Sequence, residues 1–89
     1  MSMEWMDYEG YEEQEKLEQL YNERADLQRE LRNAQENLRD AQKDLEKVED
    51  SGMPSWISNR EYQVKVYSKE VADLERELYR LDGEISLLE

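Results

Sequence analysis

The sequence predicts an all-α protein, an antiparallel two-helix coiled-coil hairpin that carries a short acidic and aromatic N-terminal segment and assembles into a helical bundle. Apolar residues recur at steps of three and four through two long stretches, which is the helical period. A single glycine-proline break separates these stretches. Charged residues make up 40% of the 89 residues, against three Gly and one Pro, a balance typical of long helices in one small domain.

The N-terminal segment, residues 1–15, is set apart by its composition. It holds six carboxylates and no basic side chain, together with Trp5, Tyr8 and Tyr11. Aromatic rings supply anchoring area, whereas carboxylates steer a segment towards a basic surface. The sequence therefore predicts either a partner-binding segment or a short helix that packs on its own or a neighbouring hairpin, followed by a hairpin domain over residues 16–89.

The break lies around Gly52 and Pro54, where a left-handed glycine would end the first helix and proline could not continue it. Ser58 and Glu61 have the spacing of a capping box at the start of a helix. The predicted helices are thus about 12–50 and about 58–88, with a loop at about 51–57.

Each helix carries an unbroken apolar seam of alternating three- and four-residue steps, which is typical of a coiled coil. On the first helix, the seam positions are Leu17, Leu20, Arg24, Leu27, Leu31, Ala34, Leu38, Ala41, Leu45 and Val48. On the second helix, they are Ile57, Arg60, Val64, Tyr67, Val71, Leu74, Leu78, Leu81, Ile85 and Leu88. When the chain folds back, one register pairs all ten layers, from Leu17 with Leu88 to Val48 with Ile57. The predicted hairpin is about 50 Å long.

Two arginines interrupt the seam. We expect Arg24 to reach Glu23 or Glu84, and Arg60 likewise to extend to a nearby acid, because a long basic side chain extends its charged head out of an apolar layer. The alternative is that both arginines line a pocket for a small anionic ligand, such as a nucleotide, between subunits.

The net charge of −12, from 24 acidic and 12 basic residues, argues against direct binding of nucleic acid or anionic membranes and favours a basic protein partner. In the predicted register, one edge of the hairpin becomes an acidic ridge of Glu23, Glu30, Glu70, Glu77 and Glu84. Carboxylates one heptad apart are spaced by about 10 Å, so two such rows can imitate a phosphate backbone. The alternative is a solubilising face.

Several apolar residues lie outside the seam and predict a second buried surface. Two helices cover only one face of each other, so an isolated pair of this size is marginally stable. We therefore predict a homo-oligomer, most simply a dimer, whose interface includes Trp5, Tyr21, Tyr62, Val66 and Tyr79.

The composition also argues against several functions. The absence of Cys and His removes thiolate nucleophiles, imidazole bases and the usual zinc ligands, and no nucleotide-binding or calcium-loop motif is present. We expect no catalytic residues, no cofactor and no metal. The chain lacks an apolar run of membrane-spanning length and a basic signal-peptide flank, so we expect a soluble cytoplasmic protein.

In size, charge and lack of catalytic motifs, the chain resembles the small acidic proteins with which bacteriophages block host enzymes or defence systems. Together with the acidic charge, which favours a basic partner, these features predict a non-enzymatic inhibitor that binds a basic, nucleic-acid-handling protein, in the host cytoplasm if the protein is viral. The predicted contact residues are Trp5, Tyr8, Tyr11, Glu12, Glu13 and the five residues of the acidic ridge. The alternatives are a structural homo-oligomeric assembly component and an oligomeric sponge for a small anionic ligand.

Overall fold

The computed structural model describes the backbone of residues 2–89 and the side chains of residues 12–89. Helix α1 spans Ser2–Ser51 and helix α2 spans Pro54–Leu88, and this part of the chain contains no strand. The two helices pack against each other along an elongated molecule of 77 × 15 × 15 Å. The prediction of an all-α helical hairpin is confirmed.

The turn between the helices needs only two residues outside helix. Gly52 has φ +72°, the left-handed conformation that glycine adopts at little cost, and its N–H donates to the carbonyl of Glu49 at 3.2 Å. Met53 returns to extended backbone, and its carbonyl accepts the Ile57 N–H at 3.1 Å, which closes the first turn of α2. The predicted left-handed glycine is therefore confirmed.

The predicted loop at about 51–57 is too long, and the predicted capping box is wrong. Helix α2 begins at Pro54, four residues before the predicted start, so Ser58 and Glu61 lie inside the helix. Proline suits the first helical turn because its fixed φ is helical and its missing N–H has no helical partner there. The same residue that prevents α1 from continuing thus starts α2.

Helix α1 begins at Ser2, well before the predicted start near residue 12, and passes through Gly10 without a break. One glycine inside a helix costs only about 1 kcal/mol, and the Glu, Gln and Lys residues that follow favour helix. The molecule is therefore longer than the predicted hairpin. The division of the chain into a segment of residues 1–15 and a hairpin domain of residues 16–89 stays a prediction.

Burial follows the predicted seam on both helices. Among residues 12–89, the side chains that are not exposed are the ten seam positions of each helix and one addition, Gln63. Leu20, Leu81 and Ile85 form the core cluster, and Leu17, Leu27 and Leu88 pack on it. Ala34 and Ala41 are also buried. The cluster of Leu20 with Leu81 and Ile85 agrees with the predicted antiparallel register, whereas strict coiled-coil packing and assembly into a bundle stay predictions.

Candidate functional site

Folding concentrates the negative charge at one end of the molecule. We define the acidic end as residues 12–35 of α1 and 70–89 of α2, at the end of the hairpin away from the turn: they carry 14 carboxylates and six basic side chains, a net −8. The loop end, residues 36–69, carries seven carboxylates and six basic side chains, a net −1. Residues 1–11 add three further carboxylates and no base. The molecule is therefore strongly polarised along its length.

The five side chains of the acidic ridge are all exposed. Glu84 pairs with Arg80, one helical turn away: the Nη1 atom of Arg80 donates to the Oε1 atom of Glu84 at 3.4 Å. Among the residues whose side chains the structure describes, the other four form no ion pair within 4.0 Å. Exposed carboxylates without a nearby cation keep their charge available to a binding partner.

Neither seam arginine pairs as predicted: among the described residues, Arg24 forms no ion pair with Glu23 or Glu84, and Arg60 forms none with an acid. Arg24 reaches across the hairpin to Asp82, with 3.2 Å between Nε and Oδ1. Arg60 donates from Nη1 to the Oε1 atom of Gln63 at 3.1 Å, within α2. Asp82 follows Leu81, the predicted seam partner of Arg24, so its neighbouring position could have indicated this pair. Both contacts favour a packing role for the arginines over an anion pocket.

A groove along α2 lies beside two residues of the acidic ridge. We call it the α2 groove, and its lining residues are Tyr62, Val66, Lys69, Glu70, Asp73, Leu74 and Glu77. It is open to solvent and joins an apolar part to an acidic part. Tyr62 and Val66 are 68% and 45% exposed, although both are large apolar side chains. Val66, Lys69 and Glu70 follow Tyr62 at the i+4, i+7 and i+8 positions, which lie on one face of the helix.

The structure brings together only part of the predicted contact set. Tyr62 and Val66 lie in the α2 groove with Glu70 and Glu77, whereas Tyr21 and Tyr79 are exposed and do not line it. Glu12 and Glu13 are exposed. They lie on α1 beyond the end of α2, since Lys16 and Leu88 line one shallow groove there. Trp5, Tyr8 and Tyr11 lie outside the residues whose side chains are described.

Sequence reasoning missed some residues of this surface. Lys69, Asp73 and Leu74 line the α2 groove, and their helical spacing from Tyr62 was the available signal. Further large apolar side chains are exposed elsewhere: Met53 and Trp56 at the loop end, and Leu87 near the end of α2.

None of the helices in the described part of the chain combines the length and apolar character needed to cross a membrane. Within the same residues, no three acidic side chains are grouped so that they could hold a metal ion. Comparison with protein-family models, curated protein sequences and solved structures finds no match.

Proposed function

We propose that this protein is a non-enzymatic interaction module that binds a basic, nucleic-acid-handling protein through its acidic end and inhibits it. The observation that carries this proposal is the polarisation of the hairpin, with a net −8 at the acidic end and −1 at the loop end. A surface that only keeps a protein in solution needs no such separation of charge along the molecule.

The acidic ridge supplies the recognition. Its carboxylates repeat at the heptad interval on each helix, about 10 Å apart, and four of the five lack an ion-pair partner among the described residues. A protein built to neutralise phosphates with Lys and Arg gains the same interaction from such a row of carboxylates. Occupation of that basic surface then excludes nucleic acid.

Affinity capture from a lysate of the source cell, with mass spectrometry, tests this proposal. The bait is compared with a ridge variant in which Glu30, Glu70 and Glu77 are changed to Lys. The matched control changes Glu49, Glu61 and Glu75 to Lys, because these exposed residues lie off the acidic ridge and the change in net charge is identical. We expect the bait and the control to enrich the same basic proteins and the ridge variant to lose them. Equal enrichment by all three baits would contradict the proposal.

A second candidate function is self-assembly as a structural component. The observation that favours it is the imbalance between five buried hydrophobic residues and seven large hydrophobic side chains left exposed among the described residues. Burying more apolar surface stabilises a two-helix protein, and a second copy could supply that surface. The third alternative, an anionic-ligand sponge, has no comparable support because Arg24 and Arg60 have partners within the chain.

A further inference from the structure

We infer that the α2 groove binds a basic amphipathic helix of the partner protein, an inference that rests on the proposed function and names the element that is recognised. Exposed hydrophobic side chains beside carboxylates favour a ligand that offers both apolar and basic groups. A helix that carries apolar residues on one face near one end and Lys or Arg towards the other end has this chemistry.

The length of the groove suits a helix. Its lining runs along α2 from Tyr62 to Glu77, a distance of about 22 Å, which is about four helical turns. All of the lining side chains belong to α2, so a second helix can lie beside α2 with its side chains between them. The partner element is therefore about 15 residues long.

The charge of the groove also sets the orientation of the ligand. Tyr62 and Val66 lie at the loop end, where the net charge is small, whereas Glu70, Asp73 and Glu77 lie within the acidic end. Asp73 also approaches Arg76, at 3.9 Å. The bound helix therefore places an apolar residue between Tyr62 and Val66 and directs its basic residues towards Glu77. Lys69, the one basic side chain in the lining, disfavours a basic residue near the middle of the ligand.

A second copy of this chain fits the groove less well as its occupant. The acidic ridge borders the groove on the side of Glu70 and Glu77, and a copy with the same net charge of −12 would bring further carboxylates towards it. Like charges placed against each other at an interface are unfavourable. A basic helix reverses the sign of that interaction.

Three designed peptides of about 18 residues test the inference by fluorescence anisotropy with the full chain. The first carries a Leu stripe at one end and Arg residues at the other, the second keeps the Arg residues but replaces Leu by Gln, and the third keeps Leu but replaces Arg by Glu. We expect the first peptide to bind, the second to bind at least about tenfold more weakly, and the third not to bind.

Protein variants locate the contact. Tyr62→Ser with Val66→Ser should weaken the first peptide about tenfold, whereas Tyr79→Ser, an exposed tyrosine outside the groove, should leave its affinity unchanged. Glu70→Lys with Glu77→Lys should weaken it similarly, while Glu61→Lys with Glu75→Lys should have little effect. Circular dichroism checks that each variant keeps its helices, which is expected because all these side chains are exposed.

Three results overturn the inference. If the Tyr62 and Val66 double variant binds the first peptide as tightly as the original chain, the acidic surface acts without the groove and the proposed function still stands. If none of the peptides binds while the ridge still captures basic proteins, the groove is not the contact surface. If light scattering shows that the unbound chain is a dimer which the Tyr62 and Val66 changes convert to a monomer, the occupant is a second copy.

Discussion

The Nε atom of Arg24 lies 3.2 Å from a carboxylate oxygen of Asp82 and joins the two helices across the hairpin. Both side chains are partly open to solvent, at 38% and 50% relative exposure, so water screens the pair and its net contribution to stability is about 1 kcal/mol or less. The pair places α1 and α2 in a defined register because a shift of one turn would separate the two groups. Arg24 therefore contributes more to the choice of register than to the free energy of folding.

Replacing Arg24 by Met is expected to raise the thermal unfolding temperature. Arg24 occupies a half-buried seam position opposite Leu81, and an unbranched apolar side chain fills such a position without the cost of desolvating a charge. The matched change Asp82→Asn should lower stability by less than about 1 kcal/mol. Circular dichroism measures the unfolding temperature of each variant. A marked fall in this temperature for Arg24→Met would show that the ion pair stabilises the fold and would contradict the prediction.

Two glycines should respond in opposite directions to alanine. Gly52→Ala should destabilise the hairpin by about 1 kcal/mol, because φ is +72° there and a Cβ atom disfavours that conformation. Gly83 lies inside α2, and a Cβ atom there would meet no atom within 4 Å, so Gly83→Ala should stabilise by about 0.5–1 kcal/mol. Urea unfolding measures both, and the same sign for the two variants would contradict the turn geometry.

Leu81 is the largest fully buried side chain, at 1% exposure, and its replacement by Ala should cost about 2–5 kcal/mol. For Leu87, which is 87% exposed on the same helix, the same substitution should change stability by less than about 0.5 kcal/mol. The urea midpoints of the two variants test the position of the core. Similar midpoints for both would mean that the seam is not the main buried surface.

The sequence was sufficient to predict the hairpin and its seam because periodicity reports directly which helix faces are buried. Every predicted seam position from Leu17 to Leu88 avoids full exposure in the structure. The start of α2 was harder to predict, since Pro54 suits both the end of a loop and the first turn of a helix. The partner of Arg24 was also missed, because periodicity fixes a layer but leaves the path of a long side chain open. The α2 groove was not predicted, because Tyr62 and Val66 were assigned to an oligomer interface and Lys69 and Asp73 are indistinguishable in the sequence from ordinary solvent-facing charges.

Self-association can be measured separately from partner binding. If the exposed apolar residues of α2 join two copies, Tyr62→Ser with Val66→Ser should lower the mass measured by light scattering from that of a dimer to that of a monomer of 10.8 kDa. The Glu30, Glu70 and Glu77 changes to Lys should not reduce that dimer mass. A monomeric mass for the original chain at all concentrations would remove the assembly alternative.

The most direct test of the central claim, that the acidic end binds a basic protein, is the affinity for the most strongly enriched captured protein at rising salt concentration. Calorimetry would compare the original chain, the ridge variant with Glu30, Glu70 and Glu77 changed to Lys, and the control with Glu49, Glu61 and Glu75 changed to Lys. We predict that affinity falls steadily as salt rises, that the ridge variant binds at least about tenfold more weakly, and that the control stays within about threefold of the original chain. An affinity that is independent of salt and equal for all three chains would contradict the claim.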